Sequence, residues 1–289
     1  MTEDWPRTTA GGDDDQPRIQ TGNPQADAIL AGGFPLNSIN IVMGQPGTGK
    51  TIFAEQLLFH NATGDRPSLY VTTLSEPMSK VVSYVQRFAF FDADKLAMAI
   101  VYEDLGPDLA ETGPTALLDW LDGAIKTRSP KIIVIDSFRA IHDLALPPEA
   151  SRRFISRFAG MLSAYDVTAF LLGEYTQDDI RRYPEFAVAD SIVELARQTL
   201  SSRDERYLRV LKLRGSAYCE GQHAFRITDH GLELYPRLVA PRIPEHYEML
   251  TERLPHFNNL MAERGLPVPP ANRTLNSICI TAICQGVSP

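Results

Sequence analysis

The sequence predicts an α/β fold in which a mainly parallel sheet is flanked by helices and carries an antiparallel extension at one edge. Three observations predict it. Short apolar runs alternate with helical patterns from Ile19 to about Pro236. A glycine-rich phosphate-loop signature stands between the run Ile39–Met43 and the helical pattern that follows it. After Asp190 the helical patterns stop while the strand patterns continue. Strands buried on both faces need helices above and below, and the alternation supplies them.

Taken in order, residues 1–15 (MTEDWPRTTAGGDDD) are polar, rich in Gly and Asp and without periodicity, so a disordered tail is expected there. Strands are expected at Ile39–Met43, Leu69–Thr73, Ala99–Tyr102, Lys131–Asp136 and Thr168–Gly173. Helices are expected between them at Thr51–His60, Ser79–Phe88, Pro114–Lys126 and Pro148–Tyr165. The third of these sets Leu117, Leu118, Leu121, Ala124 and Ile125 on one face, the stripe that a core-facing helix requires. Strands and turns alone follow at Ser191–Leu195, Tyr207–Leu213, Ala224–Thr228 and Leu232–Tyr235, which read as antiparallel neighbours at the sheet's edge. Residues 16–237 therefore make one domain. From Arg237 onward prolines are frequent and periodicity fades, so 238–289 reads as a linker-like tail.

Composition narrows the class. Of 289 residues 44% are apolar and 22% charged, enough for a sizeable core. The formal net charge of -8 disfavours a nucleic-acid-binding surface. Cys219, Cys279 and Cys284 form neither a CxxC pair nor a zinc set with the scattered histidines, which fits reduced thiols. No apolar run approaches a membrane span, and the N-terminus has no secretory pattern. A soluble, cytoplasmic protein is expected.

Gly44-Gln45-Pro46-Gly47-Thr48-Gly49-Lys50-Thr51 satisfies GxxxxGK[ST] in full, in the strand–loop–helix context that the motif needs. Gly44, Gly47 and Gly49 let the backbone curl so that its amides, with that of Thr48, point at phosphate oxygens, and the helix beginning there adds its dipole. Lys50 is expected as an exposed charge reaching the β- and γ-phosphates of ATP, and the Thr51 hydroxyl as a ligand of Mg2+. The apolar strand ending in Asp136 is expected beside the P-loop strand, with its carboxylate near the metal's water shell. Glu76, in Thr72-Thr73-Leu74-Ser75-Glu76-Pro77, follows the next strand and could orient the attacking water and join the metal site. Glu174, after Thr168–Gly173, is the next candidate for that role.

Over about residues 18–236 the chain resembles the KaiC-type branch of the RecA/RadA ATPases. The resemblance rests on Thr21-Gly22, Asp27-Ala-Ile-Leu30 and Gly32-Gly33-Phe34-Pro35 leading into the P-loop, on Glu76, on Asp136-Ser137, and on Ala189-Asp190-Ser191-Ile192-Val193-Glu194-Leu195. Its most specific part is Arg209-Val-Leu-Lys212-Leu213-Arg214-Gly215-Ser216 with Gly221-Gln-His-Ala-Phe-Arg-Ile-Thr228-Asp229-His230-Gly231. The resemblance implies a RecA-like fold and a ring, usually a hexamer, with ATP between subunits. It implies that Lys212 and Arg214 reach the neighbour's γ-phosphate, and that Leu213, Ser216, Tyr218 and Asp229 contact nucleotide from that neighbour. Ile52 joins the nucleotide-binding set on the same ground. Two departures bear on activity. Adjacent glutamates are usual in the family where this chain has Ser75-Glu76, which leaves a single base and predicts slow hydrolysis. Where the clock kinase has an acceptor Ser-Thr pair, this chain has Phe186 and Ala187. Three other readings share the ATP site: a RadA/RecA-like DNA repair ATPase using Tyr175–Pro184 as a DNA loop, a serine/threonine kinase, and a nucleotide-binding module with little turnover.

Overall fold

The computed structural model describes residues 17–73, 78–144, 147–200 and 203–237. In chain order these form β1 (Arg18–Ile19), α1 (Pro24–Ile29), β2 (Phe34–Pro35), β3 (Ile39–Met43), α2 (Lys50–Asn61), β4 (Ser68–Thr72), α3 (Met78–Val85) and α4 (Ala93–Met98). There follow β5 (Ile100–Asp104), α5 (Gly106–Thr112), α6 (Thr115–Arg128), β6 (Ile132–Asp136), a 3-10 segment (Phe138–Leu144), α7 (Pro148–Ala164) and β7 (Thr168–Gly173). The last elements are α8 (Asp179–Arg182), α9 (Glu185–Val188), β8 (Ser191–Leu200), β9 (Arg203–Leu213), β10 (His223–Thr228) and β11 (Gly231–Tyr235). The expected tails at 1–15 and 238–289, with Cys279 and Cys284, lie outside the described residues.

The main sheet has the strand order β11-β10-β9-β8-β3-β7-β6-β4-β5. Pairing is parallel from β8 to β5 and antiparallel from β8 to β11. The mainly parallel sheet with an antiparallel edge extension is therefore the architecture of this chain, a RecA-like P-loop fold. One expectation needs correcting. The Asp136 strand is not beside the P-loop strand, because β7 pairs with both β3 and β6 and separates them.

The period of two along each strand divides the core. Val42, Tyr70, Ile132 and Val134 pack into one cluster, with α1 and α2. Ile41, Met43, Leu69, Val71, Ile133 and Ile135 pack into the other, with α6 and α7. Burial on both faces explains why these strands read as continuous apolar runs. In α6 the buried residues are Leu117, Leu118, Leu121, Ala124 and Ile125, the stripe that its spacing requires. Before the P-loop strand, β1 and β2 pair as a small separate sheet, Ile19 opposite Phe34. Between them α1 begins at Asn23, whose side chain accepts hydrogen bonds from the Gln25 and Ala26 amides and so satisfies two otherwise orphaned donors.

Candidate functional site

The loop after β3 can close only because glycines stand where it turns. A side chain at Gly44 would put its Cβ 2.1 Å from the Leu195 carbonyl oxygen, so the close approach of β8 excludes one. Gly49 caps α2 at φ +99°, a conformation that L side chains rarely adopt. The loop is braced by Thr48, whose hydroxyl donates to the Gln45 carbonyl at 2.8 Å, and by the Gly44 amide, which donates to Gly173 at the end of β7. A Cβ at Gly47 would meet nothing within 4 Å, so the loop's crest opens outward.

Lys50 is buried, not exposed as its place in the loop suggests. Its ammonium donates to the Gly44 and Gln45 carbonyls, each at 3.0 Å. Burial lowers its pKa, and the charges of Glu174 and Asp136 push the other way. Thr51, on the next position of α2, donates its hydroxyl to Asp136 Oδ2 at 2.8 Å. Because α2 crosses over β7, the two groups meet despite the intervening strand. Ile52 packs half-buried against the core.

Thr51 and Asp136 present hard oxygen donors side by side, the chemistry that magnesium takes. Among the described residues no group of three or more His, Cys, Asp or Glu stands together as a metal cage. Glu76 lies outside the described residues, whereas Glu174 is exposed at the end of β7 and its charge acts on Lys50.

Three polar residues beneath this constellation, Tyr70 and Glu55 buried and Tyr102 half-buried, escape a reading of the sequence alone. The Tyr70 hydroxyl donates to Asp136 Oδ2 at 2.7 Å, and that of Tyr102 donates to Glu55 Oε2 at 2.7 Å. Burial raises the Tyr70 phenol well above its ordinary value. Burial also pushes Glu55 up to about 8; the Tyr102 hydrogen bond opposes this and the Asp136 charge adds to it. The available signal was a glutamate on the apolar side of the P-loop helix, with tyrosines at inward positions of two strands.

The remaining predicted residues fall at two ends of the sheet. Along β3, Asn40 pairs with Ser191 and Met43 with Glu194, while Ser191 and Ile192 pair with Leu213 and Lys212. Lys212, Leu213 and Arg214 thus stand beside the first half of β3, about 10–16 Å of strand from the P-loop at its far end. β9 lies inside the antiparallel extension, with β10 and β11 beyond it, and Arg214 comes just after its last residue. Lys212 Nζ donates to the Ala189 carbonyl at 2.6 Å, and Arg214 pairs with Asp190 at 3.3 Å. Burial lowers the Lys212 pKa, the Arg214 charge lowers it further, and Asp190 opposes both. Ser216, which accepts from Arg18, and Tyr218, packed on the core, follow in the next loop. Asp229 is different. It sits in the turn after β10, beyond Ile227, whose side chain would lie 2.9 Å from a Cβ on Gly49. Its backbone carbonyl accepts from the Ala89 amide at 2.7 Å, and it lines a cavity with Asn23 and Gln56.

The Tyr175–Pro184 segment contains α8, and its Tyr183 packs between His142 and the guanidinium groups of Arg139 and Arg182. Phe186 and Ala187 lie in α9, where Phe186 is buried and neither offers a hydroxyl. Among the described residues no helix is long and apolar enough to cross a membrane.

Comparison with known proteins agrees with this geometry. The family model of the KaiC ATPase matches residues 19–239. The circadian clock oscillator protein KaiC of Acaryochloris marina is 32% identical over 230 residues, covering 76% of this chain and 44% of that protein. KaiC of Parathermosynechococcus lividus is 30% identical over 233 residues, covering 76% and 42%. A UPF0273 protein of Pyrococcus horikoshii is 27% identical over 247 residues, covering 78% of this chain and 96% of its own length. The chain thus spans less than half the length of the KaiC relatives it matches, and nearly all of the shorter one. With the P-loop, the Asp136 strand end and the antiparallel extension all inside the matched residues, the chain belongs to the KaiC ATPase family of RecA-like P-loop proteins.

Proposed function

We propose that the chain binds ATP with Mg2+ at Gly44–Thr51 and hydrolyses it at the junctions of a homo-oligomeric ring, a hexamer by family analogy. The observation that carries this reading is the cluster of Lys50, Thr51 and Asp136 under a loop that glycines hold open. In it Gly44, Gly47, Thr48, Gly49 and Ile52 cradle the nucleotide. Lys50 binds the phosphates, and Thr51, Asp136 and Glu76 serve the metal. Bound magnesium would neutralise charge on the phosphate oxygens. Glu76 orients the attacking water. Lys212 and Arg214 approach the γ-phosphate from the next subunit, with Leu213, Ser216, Tyr218 and Asp229 also contacting nucleotide from there. The separation of these cations from their own P-loop supports a shared site, since a head-to-tail contact would bring the two ends together.

By analogy with relatives named as clock oscillator proteins, the nucleotide state is read by a protein partner. Residues 16–237 are the ATPase domain and 238–289 a linker-like tail or the remnant of a second domain. The direct test is nucleotide affinity. Lys50→Ala should weaken ATP binding about a hundredfold or more, because charge-assisted bonds to phosphate are lost. Equilibrium titration with a fluorescent ATP analogue measures it, and undiminished affinity would remove the phosphate-site assignment.

A further inference from the structure

Tyr70 occupies a position that an apolar residue would fill without cost. It lies on β4 between β5 and β6, with a relative exposure of 0%. A buried hydroxyl is costly unless it is paired, by about 1–3 kcal/mol. Its partner is Asp136 Oδ2, at 2.7 Å, the same oxygen that accepts from Thr51 at 2.8 Å. The register explains the contact. Tyr70 pairs with Val134 and Thr72 with Asp136, so Tyr70 and Asp136 are diagonal neighbours on adjacent strands, within reach of a long side chain.

We infer that Tyr70 is a positioning residue for the Asp136 carboxylate, fixing its orientation for a magnesium–nucleotide ligand. The inference rests on the site reading proposed above. Thr51 and Tyr70 hold one carboxylate oxygen from two elements, α2 and β4. When the Thr51 oxygen turns to a cation, the Tyr70 hydroxyl keeps its grip on the carboxylate. The Tyr70 ring is itself backed by Tyr102, with centroids 5.3 Å apart, and Tyr102 is tied by its hydroxyl to Glu55 on α2. Partners behind a ligand carboxylate set both its orientation and its basicity.

The test compares Tyr70→Phe with Tyr102→Phe. Each deletes one buried hydroxyl and keeps its ring, but only Tyr70 serves Asp136. A fluorescent ATP analogue is titrated against each protein in EDTA and again in magnesium, with thermal unfolding followed in parallel. Tyr70→Phe should lower the magnesium-dependent gain in affinity by about tenfold, with metal-free binding kept within about twofold of the wild type. Tyr102→Phe should keep the full gain, whatever its melting temperature. A Tyr70→Phe protein with the wild-type gain overturns the inference, and so does an equal loss in Tyr102→Phe, which would mean that packing alone is responsible. A wild-type protein with no magnesium-dependent gain overturns the site reading itself, and the inference with it.

Discussion

Glu55 sits in an environment far from that of a free side chain. It is buried on the P-loop helix, one of its oxygens accepts from Tyr102, and the other has no hydrogen-bond partner. Burial raises its pKa to about 8 from an ordinary value of 4.5, so the folded state holds a proton that the unfolded chain gives up. The unfolded state therefore binds fewer protons between those two values, and stability falls as pH rises. The contribution is fully present below the unfolded value and is lost as pH rises through the folded one. Relative to Glu55→Gln, the wild type should lose stability from pH 4.5 to about 8 and level off above it. The slope should be on the order of 1 kcal/mol per pH unit in the middle of that window. Urea denaturation of both proteins across the range measures it; a pH-independent difference would mean that Glu55 is ionised in the fold. Such a residue is invisible to pattern reading, because a glutamate in a helix ordinarily lies on a solvated face. Lys50 shows the same limit: the motif names it, yet only the fold reveals that it is buried on its own loop's carbonyls.

Among the elements, legibility followed burial. Strands β3 and β7 have the residue bounds that their apolar runs predict, because both faces of each are covered and the run ends where burial ends. The later strands β8 and β9 extend past their apolar centres, since antiparallel partners can carry exposed polar residues such as Arg197 and Asp204. The short α1, α4 and α5 escape the pattern, each being under three turns, with α1 and α4 held by side-chain caps at Asn23 and Asp92 more than by a stripe of their own. Strand neighbours were the least legible, for nothing in an apolar run says that β7 will enter between β3 and β6. The cap of α1 offers a test at this scale. Asn23 also donates to the Leu232 carbonyl of β11, so it joins the start of the domain to its last strand. Asn23→Ala should cost about 1–2 kcal/mol in chemical denaturation, a cap together with a buried bond. A loss below about 0.3 kcal/mol would show that the helix start is held from elsewhere.

At the scale of the whole molecule, the phosphate loop and the Lys212–Arg214 pair occupy opposite ends of one sheet. If the proposed ring is correct, subunits carrying Lys50→Ala and subunits carrying Arg214→Ala are each inactive alone. Mixed, they form some junctions with an intact loop on one side and an intact arginine on the other. Phosphate release from the mixture should recover a fraction of the wild-type rate, on the order of a quarter for random mixing at equal amounts. Mixed rings that form and stay silent would argue for a site complete within one subunit. The same placement has a consequence for signalling. In the proposed ring a subunit would hold one nucleotide at the front of its sheet and touch a second at the back, with β3 running between them as a stiff strut. A shift at one junction would then pass along the strand to the next, and because every strut in such a ring points the same way, the message would have a direction.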